Sequence, residues 1–207
     1  MLSTVRHYYL VVLILFGLCS TAIAQTEQPD VMLQRVTKEM ITALRQNDKS
    51  LQQQPEKIYD IIETILVPHI DWIAMSRWVV GRNAWQSASD DQKKRFVAQF
   101  KELLIRTYAS TLRAYNNQTI DYLPIRGGLQ GKPRVQVGSL IKEPGREPIR
   151  VSYRLVNQGS QWQVYDISIE GVSLLKGFQS QFETEIQQKG LDQLIEHLRE
   201  HNEKPLK

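Results

Sequence analysis

"DDQKKRFVAQFKELLIRTYASTLRAY", residues 90–115, reads as one unbroken helix. Phe96, Phe100, Leu103, Leu104, Tyr108, Leu112 and Tyr115 recur every three or four positions, the period of a single helix face. Ser89 followed by Gln92 predicts a capping box at the start, Asp90 and Asp91 sit where the helix dipole favours negative charge, and Asn116-Asn117 predicts the stop. At about 1.5 Å per residue the helix is roughly 39 Å long, comparable to a whole small domain. So long an apolar face must cover a solid core or wall a cavity. The expectation is core near Phe96 and cavity wall toward Tyr115.

Beyond this helix the apolar period changes from 3.6 to 2. Ile120, Tyr122 and Pro124 alternate, as do Val135, Val137, Ser139 and Ile141, then Ile149, Val151, Tyr153 and Leu155, and finally Tyr165, Ile167 and Ile169. These predict four strands between about 119 and 170, separated by turn signals at Gly127-Gly128, Pro144-Gly145 and Asn157-Gln158-Gly159. Connections this short imply antiparallel pairing, because a parallel crossover needs a dozen or more residues. Upstream, residues 30–46 carry Met32, Val36, Met40 and Leu44 at helical spacing. Pro55 opens a second helix through Ile58, Ile62, Ile65 and Leu66, closed by Pro68, and "HIDWIAMSRWVVG" is a short third helix ended by Gly81. Two helices close the chain, with Leu175, Phe178, Phe182 and Ile186 on one and Leu191, Leu194, Ile195 and Leu198 on the other. Helices at about 30–115, strands, then helices at about 173–201 make an α+β plan.

Residues 1–24 read as a secretory signal peptide. Arg6 precedes the apolar run "YYLVVLILFGLC", too short to span a bilayer comfortably, and Ala22-Ile23-Ala24 supplies a small-x-small cleavage pattern before Gln25. Bulky Leu18 before Cys19 disfavours processing as a lipoprotein. The single cysteine leaves with the signal, so residues 25–207 form an exported domain that relies on its packed core rather than on disulfides. A net charge of +4 biases encounters toward anionic surfaces but falls short of a nucleic-acid-binding signature. Lys93, Lys94 and Lys101 cluster on the long helix, as a solvated face or as a docking patch for an acidic partner.

The stretch "AMSRWVVGRNAWQSASDDQKKRFVAQFKELLIRTYASTLRAY", followed by "WQVYDISIEGVSLL" and "QFETEIQQKGLDQLIEHL", resembles the MlaC family, the toluene-tolerance auxiliary proteins. Its most specific pieces are Gly81 with Ser87-Ala88-Ser89, Arg106-Thr107-Tyr108, Tyr165-Asp166 and Glu170-Gly171-Val172-Ser173. The resemblance implies a periplasmic carrier, without enzymatic activity or cofactor, that takes a diacyl phospholipid between two complexes. One is an outer-membrane lipoprotein–porin complex (MlaA-like). The other is an inner-membrane ABC transporter with a lipid-binding ring protein (MlaD-like), and the traffic maintains outer-membrane lipid asymmetry. It also implies a helical subdomain fused to a curved, cone-like antiparallel sheet of the nuclear-transport-factor-2 kind, with acyl chains in a cavity between sheet and helices.

The residues expected to line that cavity are Met75 and Val79 on the short helix and Phe100, Leu103, Leu104, Tyr108 and Leu112 on the long one. Val135, Val137, Val151, Tyr153 and Leu155, with Tyr165, Ile167 and Ile169, join them from the strands, and Val172 and Leu174 from the turn that follows. The odd-numbered face of the last two strands is chosen because it carries the larger apolar set. Trp72, Trp78, Trp85 and Trp162 read as core anchors.

Enzyme chemistry has weaker signals. "HLREH", His197 to His201, matches an inverted zinc-protease motif, but only six residues follow and Leu194 and Leu198 define the buried face. "GVSLL" lacks the second glycine of a nucleophile elbow. The sharper rival is an isomerase- or dehydratase-type enzyme in which Asp166 and Glu170, on one face of the last strand, act as an acid–base pair. Arg150 and Arg154 on the preceding strand offer the alternative of cross-strand ion pairs.

Overall fold

The computed structural model describes residues 27–115, 118–129, 131–159 and 161–204; the signal-peptide reading of residues 1–24 lies outside them. Helix α1 (Pro29–Gln46) begins with proline at its first turn, where a missing N–H costs nothing. Two short helices follow, α2 (Asp48–Gln53) and α3 (Lys57–Ile65), with a 3₁₀ turn at Val67–His69. The Asp71 carboxylate caps α4 (Trp72–Val80) by accepting from the Ala74 N–H at 2.8 Å. Gly81, at φ 84°, lets the chain break and restart as α5 (Arg82–Ser87). The long helix is α6 (Asp90–Arg113), and its capping box forms as expected: Gln92 N–H donates to Ser89 Oγ and Ser89 N–H to Gln92 Oε1.

The sheet is antiparallel throughout, in the sequential order β1 (Thr119–Tyr122), β2 (Arg134–Lys142), β3 (Ile149–Asn157), β4 (Trp162–Ile169) and β5 (Val172–Ser173). The sequence pattern shows four of these strands. The fifth is two residues long, below the reach of any period, and is made by a tight hairpin whose central residues Glu170 and Gly171 both take positive φ, 48° and 82°. The sheet remains open rather than closing into a barrel. Helices α7 (Leu174–Lys189) and α8 (Leu191–Asn202) complete the α+β fold.

Among the described residues three apolar clusters hold these elements together. Met75 and Val79 of α4, the first half of α6, and α7 and α8 form a helical core around Phe96 and Phe100, both fully buried. Phe100 stacks on Phe96 at 5.7 Å and meets the edges of Phe178 and Phe182 at 5.5 and 6.0 Å. The second half of α6 turns to a different partner: Ile105 and Ala109 are buried against Met40, Leu44, Leu51, Ile58 and Ile62 of α1–α3, with Leu112 and Tyr115 at that cluster's margin. Rather than one face over one core, α6 is a spine shared by two. The third cluster joins the first turns of α1 to the sheet. Among the described residues no helix is long and apolar enough to cross a membrane.

Candidate functional site: an apolar sheet face roofed at one end

Directly opposed residues of an antiparallel sheet point to the same side, so the register defines a continuous inner face. Val135 opposes Leu155, Val137 opposes Tyr153, Ser139 opposes Val151 and Ile141 opposes Ile149. Tyr153 opposes Ile167, Val151 opposes Ile169, and Ile169 opposes Val172. At one end Val135, Val137, Leu155, Trp162 and Val164 are buried beneath Met32, Leu33 and Val36 of α1. At the other end the same face opens to solvent: Ile149 is 46% exposed, Ile169 40% and Val172 68%. A sheet face that is sealed at one end and apolar but uncovered at the other forms an amphipathic mouth leading to a greasy floor.

Polar atoms on this face are few and mostly engaged. The Tyr122 hydroxyl lies 2.6 Å from Thr37 Oγ1 and donates to the Leu33 carbonyl, tying β1 to the α1 roof. Its ring lies 6.3 Å from that of Tyr153. Burial pushes both phenols above their ordinary range, so both stay neutral hydrogen-bonding groups at any physiological pH. Such a face can bind an apolar chain and offer a hydroxyl or two.

Of the residues read from sequence as cavity lining, Val135, Val137, Val151, Tyr153, Leu155, Ile167, Ile169 and Val172 come together on this inner face. Tyr165 does not. A β-bulge shifts the register between Arg154 and Leu155, so that Asp166 opposes Arg154 but Val164, not Tyr165, is the partner of Leu155. Tyr165 consequently borders a groove on the opposite side of the sheet with Arg154 and Val156. Strict odd-numbered alternation fails there because the period of 2 presupposes no inserted residue. On the helices, Met75, Val79, Phe100, Leu103 and Leu104 are buried in the helical core, Tyr108 is half-buried against that core, and Leu112 packs against α1–α3. Leu174, half-buried, begins α7. Sequence reasoning overlooked Ile149, Tyr122 and Thr37 as site residues; the odd-numbered position of Ile149 on β3 was the available signal.

The other candidate groups fall apart spatially. Asp166 is buried on the outer side, accepting from Ser173 Oγ at 2.9 Å and facing an Arg154 nitrogen at 3.5 Å, the cross-strand ion pair that the spacing allowed. Glu170 sits exposed in the β4–β5 turn and accepts from the Arg150 backbone N–H instead of pairing with its guanidinium. The two carboxylates therefore occupy different surroundings and share no dry pocket. His197 and His201 are exposed, His197 contacting Glu185 at 3.1 Å, and among the described residues no group of three or more His, Cys, Asp or Glu could hold a metal ion. Lys101 is paired to Glu63 at 2.5 Å and Lys93 lies 3.8 Å from Asp90, while Lys94 is exposed. Trp162 is a core anchor, Trp72 and Trp85 flank the helical core, and Trp78 stays 38% exposed.

The fold and its half-roofed apolar face define an α+β protein with a groove suited to an apolar ligand. Across residues 34–200 the chain matches the family model described as MlaC protein, and it belongs to the MlaC family. It is 32% identical over 192 residues to the toluene tolerance protein ttg2D of Pseudomonas putida, an alignment covering 93% of this chain and 87% of that protein. It is 27% identical over 198 residues to the intermembrane phospholipid transport system binding protein MlaC of Haemophilus influenzae, covering 94% and 91% respectively. Among solved structures it resembles a phospholipid-binding protein from Ralstonia solanacearum in complex with a phospholipid, with a TM-score of 0.78, 28% identity, and coverage of 85% of this chain and 97% of that one.

Proposed function

We propose that this chain is a periplasmic, non-enzymatic phospholipid carrier. Its acyl chains lie along the inner sheet face, with Val137, Val151, Tyr153, Ile167, Ile169 and Val172 as contacts, and its headgroup sits at the open end. The observation that carries the reading is the exposed strip of Ile149, Ile169 and Val172 continuous with a buried floor, in a chain whose relative binds a phospholipid on the same fold. Energetics demand such shelter. A chain of about 14 methylenes forfeits roughly 11 kcal/mol if exposed to water, at about 0.8 kcal/mol per CH₂, so an aqueous carrier must cover it.

In this reading the protein collects lipid at one membrane and surrenders it at the other, with an outer-membrane lipoprotein–porin complex and an inner-membrane ABC transporter bearing a ring-shaped lipid-binding subunit as exchange partners. The result is maintained lipid asymmetry of the outer membrane. Transfer follows relative affinities and needs no cofactor. Support comes from family membership and from the name of the Haemophilus relative, an intermembrane phospholipid transport system binding protein. Native mass spectrometry of protein purified without detergent tests the reading: a diacyl phospholipid at stoichiometric occupancy, with headgroups mixed as in the host membrane, is the expected result. Protein that carries no lipid, or carries a sterol-like or peptide ligand, refutes it.

A further inference from the structure

The side of the sheet turned away from the apolar face carries a second feature. A half-open groove of about 720 Å³ lies between the outer side of β2–β4 and helices α4, α5 and α7. Four arginines reach it from four elements: Arg77 on α4, Arg82 on α5, Arg134 on β2 and Arg154 on β3. Their charge is largely unspent. Arg154 shares Asp166 at 3.5 Å, but among the described residues Arg77, Arg82 and Arg134 have no carboxylate within ion-pair distance. Elsewhere on the surface Arg35, Arg95 and Arg199 each hold two carboxylates. Among the described residues the one acid on the wall, Asp71, is already engaged by the Ala74 N–H and by Gln158 Nε2, each at 2.8 Å.

Aromatic side chains complete the wall: Trp78, Trp85 and Tyr165. Trp78 remains 38% exposed although its neighbours Met75 and Val79 are buried in the helical core. Tryptophan, tyrosine and arginine held open together are the side chains that dominate protein–protein binding energy, and guanidinium forks match carboxylates in a two-point geometry. Because the arginines arrive from four separate elements around the groove, they suit a segment with several carboxylates better than a single compact anion. Arg134 and Arg154 alternate with Val135 and Leu155 along their strands, so the groove and the lipid face lie on opposite sides of the sheet. An occupant here leaves the apolar mouth free.

We propose that this groove is the docking site for an acidic, aromatic-containing segment of a partner protein, which holds the carrier by its outer side while the inner face exchanges lipid. The proposal rests on the carrier reading only in that a carrier must be held by the proteins it serves.

The test uses the full mature chain and a fluorescein-labelled dodecapeptide of Asp and Glu with one Trp, followed by fluorescence anisotropy, with Asn/Gln and Lys counterparts as controls. Saturable one-to-one binding of the acidic peptide alone is expected, weakening as salt rises. R82E/R134E should weaken it at least tenfold, R82Q/R134Q by a smaller factor and Trp78→Ala at least threefold, each with an unchanged melting temperature. K93E/K94E, on the long helix, should change it less than twofold. Absence of saturable binding overturns the proposal, as does an equal loss in K93E/K94E. Binding of phosphatidylglycerol vesicles, but not phosphatidylcholine vesicles, that depends on Arg82 and Arg134 also overturns it, since the groove would then be a membrane contact. Lipid extracted from the same samples keeps the two readings apart: lipid-free wild-type protein refutes the carrier, while the peptide titration alone decides the groove.

Discussion

Replacing Ile149, Ile169 and Val172 by threonine should separate lipid affinity from folding stability. All three lie on the inner face at its open end, and their exposures of 46%, 40% and 68% amount to about one and a half uncovered side chains. At about 1.5–3 kcal/mol per apolar side chain fully buried, covering this strip with an acyl chain contributes about 2–4.5 kcal/mol to binding. Threonine keeps the β-branch that suits a strand and one methyl group, but puts a hydroxyl where the lipid must lie. The triple variant should therefore lose about 1–3 kcal/mol of lipid affinity, or about 5- to 150-fold in Kd. The delipidated protein should change little, because substitutions at exposed positions are usually worth within about 0.5 kcal/mol each. The assay pairs a fluorescent-phospholipid titration of delipidated protein with urea unfolding of the same samples. A Kd within threefold of wild type would refute the assignment of the mouth. Loss of several kcal/mol in the delipidated protein would show instead that the strip is packed structure.

Phe100→Ala should act oppositely, costing about 3–5 kcal/mol of stability because a fully buried ring against Phe96, Phe178 and Phe182 is removed; the phospholipid Kd of the molecules that remain folded, measured well below the melting temperature, should stay unchanged. Tyr122→Phe removes the hydroxyl that joins β1 to Thr37 and Leu33 of α1, a loss of about 0.5–1.5 kcal/mol, and hydrogen exchange should quicken in the first turns of α1 while α8 is unaffected. His69 sits partly buried near Arg35, and burial first, then that guanidinium, hold its pKa below the ordinary value against the pull of Glu39 and Glu27. The unfolded chain therefore takes up the proton first as pH falls through about 6.5, and stability is lost below that pH. His69→Gln should show a smaller drop in melting temperature between pH 7.5 and 5.5 than wild type, and an equal drop would assign the acid sensitivity elsewhere.

Much of this protein is legible without its structure, because local physics sets it. The Ser89–Gln92 box, the 3.6 period of α6 and the alternation from Val135 to Leu155 each involve residues a few positions apart, and each appears in the fold where the pattern puts it. Periodicity says that a face is covered but not by what. Phe100 and Leu112 belong to the same apolar surface of α6 in sequence, yet one packs on α7 and the other against α1–α3, a division decided by helix placement alone. Likewise, the bulge that sends Tyr165 to the outer side reflects the pairing of β3 with β4, and no spacing within β4 announces it. Arg77, Arg82, Arg134 and Arg154 are spread over 78 positions of chain and look like ordinary surface charge until the sheet and the helices set them around one groove. Contacts between distant segments depend on how whole faces fit, and that fit is a property of the assembled molecule.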